Sequence, residues 1–487
     1  MDIADRALTR RFMTVVAMAG GFADAQGLLA FIDHNREVLD LGVAAVARAV
    51  QRGEMHLGDA FALLDCVKGL SARHLMFESQ TGHSGSTADA RIAVTHRSAV
   101  ESYLNERPRP TAAVSFHLVS GEQLLMISAA NYPMGGQPGD GRVEYRCAVI
   151  NRIDDGLLES VAAFSRSVDR GAPDLALLSK PLAELGYAVG ALLGGQPVHE
   201  VIFVPHKALH ALPLHALVLH EASGLYLHDV VNSIRFCSSL FDALTSGTWV
   251  APPGHPQTGP RLVSVMERDS PLPGVELYRK MLDALRLQLG GQIRIDDLHR
   301  LGDLPGGFQT GDTWVNWHGH GRSSPNAWGA SYLTLGDDVV SGRTIATTWR
   351  LPGRPHVVLA SCQSAVDGAL TPVVDEYCGL DVAFRIAGAR SVAASMWDLG
   401  DPVATFTAVR LTSSFLQAGK PPAHSLTALQ RAFRNCSWKA ALLRPEQLAA
   451  LPAEQAELLR EYQAPFERLP GDAFADPRRW ATMRAHG

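Results

Sequence analysis

Two short apolar runs, each leading into a side chain that can do chemistry, constrain the fold of this chain most. Residues 313–317 lead into the cluster 318–321 (His-Gly-His-Gly), and residues 356–360 lead into Ser-Cys362. β-Branched and aromatic residues that end at Gly or small polar residues predict buried strands of a parallel sheet. Ligands of open α/β sheets bind at the carboxyl ends of the strands. A His and a Cys at neighbouring strand ends would therefore lie close together, as a thiolate nucleophile and its base must.

The length and composition indicate a folded protein of several parts. A chain of 487 residues with 46% hydrophobic residues can form two or three domains, or one duplicated α/β unit with additions. Only 19% of the residues are charged, so disorder over most of the chain is excluded. The net charge of −5, without a long basic run, does not suggest a nucleic-acid partner or an anionic membrane surface.

Cysteine usage and the N-terminal sequence predict a cytoplasmic protein. The six cysteines are scattered and form no CxxC pair, which is typical of thiols in a reducing compartment. The sequence MDIADRALTRRF lacks the basic and then apolar layout of a secretory signal. No uninterrupted apolar run reaches the roughly 18 residues of a membrane span, so no membrane partner is expected.

The pattern of apolar residues changes along the chain. Residues 1–77 show helical spacing, and we expect a helical N-terminal segment there. Residues 78–111 are rich in Ser, Gly, Thr, Arg and Pro and predict a linker or exposed loop. Beyond them, short strands alternate with helices of ten or more residues, which favours a doubly wound α/β sheet.

The candidate residues at the two strand ends leave alternatives open. Cys362 could be a nucleophile or a small buried core residue, as most free cysteines are. His318 and His320 are two residues apart, so both could face a cleft and one could act as a base. Alternatively, the two histidines and Cys362 could bind zinc. They could also be ordinary histidines at a strand end, without a chemical role. Gly321 would let its backbone N–H approach a ligand closely, as an oxyanion donor must.

Several segments, in order, resemble one family. Residues 315–321 resemble the strand and His-Gly signature of the caspase/separase clan, and more specifically of the CHAT family. Residues 359–364 resemble the segment around that family's cysteine, and 201–217 resemble its non-catalytic half. Residues 379–397 and 476–481 resemble the helix and strand after the cysteine and the closing Trp-Ala strand.

The resemblance implies a fold and an activity. The fold would be a central, mostly parallel caspase-like sheet flanked by helices, duplicated into a non-catalytic half (112–255) and a catalytic half (256–487). The activity would be that of a cysteine endopeptidase. Two other functions remain open for such a fold. One is that of a catalytically silent scaffold that binds partners, and the other is that of a non-proteolytic cysteine hydrolase or acyl transferase.

The resemblance also assigns roles to individual residues. Cys362 becomes the nucleophile and His320, with Gly321 after it, the base, while His318 is the alternative base. The backbone N–H groups of Gly321 and Cys362 become the oxyanion donors. Asp401 first and Asp398 second resemble the acidic residue that binds a basic P1 side chain in clan members. The alternative for these carboxylates is a solvated cap of the following helix.

The expected partners also follow from the resemblance. We expect a protein substrate, a candidate upstream activating protease or sensor protein, and neither a metal nor a cofactor. Bacterial members of the family act as regulated effectors in anti-phage defence, in CRISPR-linked or gasdermin-linked proteolysis, and the N-terminal helices would dock the activator. A cleavage that releases the enzyme is a further hypothesis, for the loop 250–260 or for the arginines of 87–110 (Arg91, Arg97, Arg107, Arg109).

A second histidine cluster admits two readings. His206, His210 and His215 follow the strand-like residues 200–205. Their spacings fit no firm metal site, so packing or surface roles are favoured over a metal site.

Overall fold

The chain divides into two compact units in a computed structural model. The first unit comprises Met1–Trp249, Ala369–Cys378 and Gly487, and the second comprises Val250–Gly368 and Gly379–His486. The structure describes residues 3–19, 22, 25–81, 95–119, 123–132, 142–151, 155–247, 261–267, 272–289, 294–323, 329–365 and 377–487.

The first unit combines helices with a sheet. Its α-helices are α1 (Ile3–Ala19), α2 (Ala25–His34), α3 (Arg36–Gln51), α4 (Leu57–Asp65), α5 (Leu70–Thr81), α6 (Arg97–Asn105), α7 (Asp155–Asp169), α8 (Ser179–Leu193), α9 (Leu227–Val230) and α10 (Leu240–Gly247). Its strands are β1 (Thr111–Val119), β2 (Gln123–Tyr132), β3 (Arg142–Asn151), β4 (Glu200–Val204), β5 (Val218–His220), β6 (Leu225–Tyr226) and β7 (Ser233–Phe236).

The sheet of the first unit has the order β3-β2-β1-β4-β7. The outer strands β3, β2 and β1 pair antiparallel, and β1, β4 and β7 pair parallel. β1 and β2 follow each other in the chain and pair along the whole length of β1, and residues 120–122 between them lie outside the described residues. Almost every residue of β1 and β4 is buried, as expected of strands covered on both faces.

The N-terminal helices share a core with this sheet. Phe12 and Val46 from the helices belong to the same buried cluster as Ala113 and Ile127 from the strands. Lys68, between α4 and α5, is fully buried. Its ammonium donates to the carbonyls of Phe116, Val204 and Pro205, each at 2.8 Å, at the carboxyl ends of β1 and β4. These bonds compensate a buried charge, so the helices are an integral part of the unit.

The predicted linker 78–111 is wrong for Arg97–Asn105, which form helix α6. Val100, Tyr103 and Leu104 are its buried residues, at the spacing of one helix face. The polar and Arg-rich composition of the segment concealed this short apolar stripe.

One helical stretch in the described residues, Leu175–Leu193, is long and apolar enough to cross a membrane by length and composition alone. It ends in α8, which packs against the strands of the first unit. A Cβ added at Gly186 would lie only 2.0 Å from the carbonyl oxygen of Val218, so the helix touches β5 closely.

The histidine cluster of the first unit packs in its interior. The Nδ1 atom of His206 accepts a hydrogen bond from the Leu118 N–H at 2.9 Å. The His210 ring stacks on Tyr377 with centroids 4.6 Å apart, and His215 meets the edge of Phe236. These contacts agree with the packing roles that the sequence favoured.

The second unit holds the two strand ends from which the sequence analysis began. Its strands are β8 (Arg261–Met266), β9 (Arg294–Leu298), β10 (Asp312–His318), β11 (His320–Arg322), β12 (Tyr332–Leu335), β13 (Asp338–Ser341), β14 (His356–Ala360), β15 (Ser391–Ser395) and β16 (Met483–His486). Its α-helices are α11 (Pro273–Leu289), α12 (Leu304–Gly307), α13 (Gly342–Thr348), α14 (Leu380–Ile386), α15 (Asp401–Ala418), α16 (Pro422–Arg434), α17 (Pro445–Ala449), α18 (Ala453–Glu467) and α19 (Pro477–Trp480).

The main sheet of the second unit has the order β16-β15-β14-β10-β8-β9. Every pairing in it is parallel except that of the closing strand β16, which pairs antiparallel with β15. Strands β11, β12 and β13 form a separate three-stranded antiparallel sheet. The prediction of a mostly parallel α/β sheet flanked by helices is confirmed.

A buried ion pair ties the closing strand to the helices. Arg484 of β16 donates from Nη2 to the carboxylate of Asp381 on α14 at 3.0 Å, and both side chains are fully buried. The ring of His486 lies 3.3 Å from the same carboxylate. A charge that is removed from water needs such a partner, so this pair holds β16 in place.

Candidate active site

The pairing register of two parallel strands brings the candidate residues to one edge of the sheet. In the β10–β14 pair, His318 lies opposite Ala360. His320 and Cys362 each follow two residues after that register pair, so both leave the sheet at the carboxyl end of neighbouring strands. This is the edge at which open α/β sheets bind their ligands.

Gly321 lies directly against the backbone of the cysteine. A Cβ atom at Gly321 would lie 2.7 Å from the carbonyl oxygen of Cys362, 3.1 Å from Ser361 Oγ and 3.2 Å from Leu333 Cδ2. Real Cβ atoms do not approach a backbone oxygen so closely, and only glycine fits this contact. The segment that carries His320 and the segment that carries Cys362 are thus packed together, as the sequence predicted for the pair.

The turn after β14 is held by a network of serine hydroxyls. The carbonyl of Ser361 accepts from the hydroxyls of Ser364 and Ser395, at 3.2 and 2.5 Å. The N–H of Ser395 donates to Ser364 Oγ at 2.9 Å, and the N–H of Ala365 donates to the carbonyl of Ser395. These buried bonds fix the backbone on both sides of Cys362.

Gln363, the residue after the cysteine, joins three segments of the site. Its Oε1 accepts from the N–H and the hydroxyl of Ser323, at 3.2 and 2.9 Å, and its Nε2 donates to Asp398 Oδ1 at 2.9 Å. Its φ of 49° lies in the left-handed region, which costs a residue other than glycine on the order of 1–3 kcal/mol. A strained backbone conformation persists only where several contacts hold it. Here the hydrogen bonds of the Gln363 side chain to Ser323 and Asp398 hold it.

Cys362 is half-buried, and its thiol contacts the loop after β15. Sγ accepts a hydrogen bond from the N–H of Leu399 at 3.4 Å. Among the described residues, Sγ makes no hydrogen bond with the imidazole of His320. Burial raises the pKa of the thiol, the Leu399 contact lowers it, and the charge of Asp398 raises it. The net direction is upward, so the resting cysteine is a neutral thiol that needs a base.

The two histidines occupy different environments. His320 is exposed and begins β11, opposite Thr334. His318 is buried, stacks at a tilt on Tyr278 with centroids 5.2 Å apart, and lies 3.5 Å from the hydroxyl of Thr405. Burial lowers the pKa of His318 to about 4, so this ring stays neutral in the core. The arrangement favours His320 over His318 as the group that can reach a substrate.

The two predicted specificity carboxylates differ in their availability. Asp398 is exposed and is held beside the cysteine by Gln363. Asp401 begins α15, and its Oδ2 accepts from the N–H of Gly274, at the start of α11, at 2.7 Å. Burial raises the pKa of Asp401, while the Gly274 contact lowers it. The structure therefore gives Asp401 a structural partner and leaves Asp398 free to face solvent.

The other sequence hypotheses find less support in the described residues. No group of three His, Cys, Asp or Glu side chains in the described part of the chain could hold a metal ion. Among the arginines proposed for cleavage, Arg97 pairs with Glu101, Arg107 lies over the ring of Tyr103, and Arg109 contacts His199. The remaining candidates, Arg91 and the loop 250–260, lie outside the described residues.

Comparison with known families identifies the family of this chain. The family model described as "CHAT domain" matches residues 176–487, more than half of the chain. The chain belongs to the CHAT family. The resemblance that the strand-end motifs carried is thereby confirmed, and the CHAT match includes both strand ends and the closing strand β16.

A solved structure supports the fold. The crystal structure of the Saccharomyces cerevisiae separase–securin complex at 3.0 Å resolution matches with a TM-score of 0.55 and 9% identity. The match covers 95% of this chain, and this chain spans 37% of the matched one. A second structure of that complex, at 2.6 Å resolution, matches with a TM-score of 0.48, 9% identity and the same coverage. A search of curated proteins finds no match.

No sequence motif indicates the contacts that assemble the site. Ser323 and Leu399 carry no motif, and Gln363 lies in the segment 359–364 without a role assigned to it. The place of Gln363 next to the cysteine was the one available signal. Its left-handed φ and its two partners depend on contacts between segments far apart in the chain.

Proposed function

We propose that this CHAT protein is a cysteine endopeptidase in which Cys362 is the nucleophile and His320 the base. One observation carries the proposal most: the contact of Gly321 with the Cys362 backbone, which brings the His-Gly turn against the nucleophile at the carboxyl edge of the sheet. A site built for acyl transfer needs this proximity.

The steps of the reaction follow from the residues at this edge. His320 takes the thiol proton as Cys362 Sγ attacks the scissile carbonyl, and the resulting imidazolium protonates the leaving amine. The N–H groups of Gly321 and Cys362 are the proposed donors to the oxyanion. Hydrolysis of the thioester by water, with His320 again as base, regenerates the thiol.

The proposed specificity is for a basic P1 residue. A carboxylate beside the nucleophile attracts an Arg or Lys side chain, and Asp398 is exposed there while Asp401 is engaged by Gly274. We therefore propose Asp398 as the principal carboxylate of the S1 pocket and Asp401 as a support of the loop, which reverses the order that the sequence suggested.

A cellular role as a regulated effector in anti-phage defence is proposed from the CHAT family alone. Such an effector would act in the cytoplasm on a protein substrate, after activation by a protease or a sensor protein. Phage plaque assays on cells that express the wild type or Cys362→Ala would test this role, and equal plaque numbers would contradict it.

The peptidase proposal has a direct test. Fluorogenic peptides with Arg, Lys, Asp or Leu at P1 are incubated with the wild type, Cys362→Ala, His320→Ala and His318→Gln. We expect cleavage after Arg or Lys that both alanine variants abolish. Asp398→Asn should raise KM for these peptides at least about tenfold, since a charged hydrogen bond is lost, while Asp401→Asn should change stability more than KM.

Two outcomes would contradict the proposal. Activity that survives in Cys362→Ala would exclude the thiol as nucleophile. If no peptide is cleaved, a peptide chloromethyl ketone with Arg at P1 decides between a zymogen and the silent scaffold. Labelling of Cys362 that requires His320 would support the protease, and a lack of labelling would favour the scaffold.

A further inference from the structure

The second unit contains a cavity of about 230 Å³ whose lining includes none of the candidate active-site residues. It lies between α11, α15 and residues 441–463, and its walls are mainly apolar. Met281 and Leu285 of α11, Phe406 and Val409 of α15, and Leu459 of α18 supply that apolar lining. The volume is below the roughly 300–1,000 Å³ of sites for drug-sized ligands, so the cavity suits a small molecule.

Arg410 of α15 gives this cavity a positive charge. It is the one charged side chain among the described lining residues. Its Nη1 donates to the carbonyl of Ala441 at 3.2 Å, and no carboxylate pairs with it in the described part of the chain. Burial lowers the pKa of Arg410, yet a guanidinium keeps its proton in proteins. A half-buried charge without a counter-ion is costly unless an anion joins it.

Tyr462 of α18 adds a second hydrogen-bond donor. The residue is 5% exposed, and its hydroxyl has no hydrogen-bond partner among the described residues. Burial raises the pKa of this phenol, so it stays protonated and can donate. It lies close enough to Arg410 for the two groups to interact electrostatically. Buried polar groups normally have partners, and a hydroxyl without one in a cavity points to a missing ligand.

Gln463 of α18 has both polar atoms of its side chain paired. The side chain of Gln463 accepts from the N–H of Leu443 at 2.6 Å and donates to its carbonyl at 3.2 Å, which anchors α18 to the cavity wall. The wall is therefore a formed structure, and among the described lining residues the hydroxyl of Tyr462 is the buried side-chain polar atom without a hydrogen-bond partner.

We propose that this cavity is a binding site for a small monocarboxylate with a short apolar tail. The carboxylate accepts from the guanidinium of Arg410 and the hydroxyl of Tyr462, and the tail lies against Met281, Leu285 and Phe406. A single cation matches a monoanion, and the apolar walls exclude a fully polar ligand such as free phosphate. The site is independent of the proposed peptidase activity.

Calorimetric titration of the full chain with octanoate tests the proposal, with octan-1-ol and octylamine as probes of equal tail length. We expect octanoate to bind and the amine not to bind. Arg410→Gln should weaken octanoate at least about tenfold, as loss of a charged hydrogen bond does, and Tyr462→Phe should weaken it less. Arg460→Gln, at an exposed position on α18, is the matched control and should bind as the wild type does.

Circular dichroism checks that each variant is folded, and Arg410→Lys replaces Arg410→Gln if the latter does not fold. The lysine variant keeps the charge without the planar fork, so it should retain binding but with lower affinity. The proposal fails if octan-1-ol binds as tightly as octanoate, if octanoate does not bind at all, or if a folded Arg410 variant keeps the wild-type Kd.

Discussion

Replacement of Gly321 by alanine tests whether the contact between the His-Gly turn and the cysteine is the determinant of this site. The new Cβ would start 2.7 Å from the Cys362 carbonyl oxygen. An ordinary carbon–oxygen contact is about 3.3 Å or more, so the two segments must separate by roughly 0.6 Å. The neighbouring Ser361 Oγ and Leu333 Cδ2, at 3.1 and 3.2 Å, leave little room for the methyl group to turn aside.

The expected effect is mainly on chemistry. A misplacement of about 1 Å at a reacting group can cost about 10²-fold in rate, so a shift of this size predicts a loss of roughly tenfold to a hundredfold. That loss corresponds to about 1.4–2.7 kcal/mol of activation free energy. Overpacking also destabilises a fold by typically about 1–3 kcal/mol, and the midpoint of thermal unfolding should fall accordingly.

The measurement is kcat/KM on a peptide with Arg at P1, together with the rate of alkylation of Cys362 by iodoacetamide. Gly400→Ala is the matched control, because its Cβ would meet nothing within 4 Å and its φ of −58° suits alanine. The control should keep its activity. Full activity of Gly321→Ala, or an equal loss in both variants, would refute the reasoning.

Three further predictions concern the same unit. Gln363→Ala should lower kcat on peptides with Arg at P1 by about tenfold or more, because the turn loses both anchors, and wild-type kcat would contradict this positioning role. The alkylation rate of resting Cys362 should rise with pH to a midpoint above the ordinary thiol value, because burial raises its pKa, whereas a midpoint near neutrality would show a resting thiolate. Asp381→Ala should destabilise the fold by about 3–5 kcal/mol in denaturant unfolding, since the buried guanidinium of Arg484 loses this carboxylate. The exposed ion pair of Arg294 is the control: Arg294→Ala should cost less than about 1 kcal/mol, and equal losses would contradict the burial argument.

The sequence by itself determined the sheet class and the two strand ends. Residues 313–317 and 356–360 are mainly apolar and rich in β-branched and aromatic residues, which predicts strands buried on both faces, and β10 and β14 occupy these positions. The local sequence pattern also predicted that His320 and Cys362 lie just after the ends of these strands. Strand ends depend mainly on residues that are neighbours in the chain, so they can be predicted from the sequence.

Only the tertiary structure decided what each of these side chains touches. The burial of His318 and the exposure of His320, the engagement of Asp401 by Gly274, and the left-handed Gln363 all arise from contacts between segments distant in sequence. Helix α6 escaped prediction because its short apolar stripe is stabilised by packing rather than by its own propensity. Periodicity indicates which face of an element is buried, but the partner that buries it is set by the whole fold.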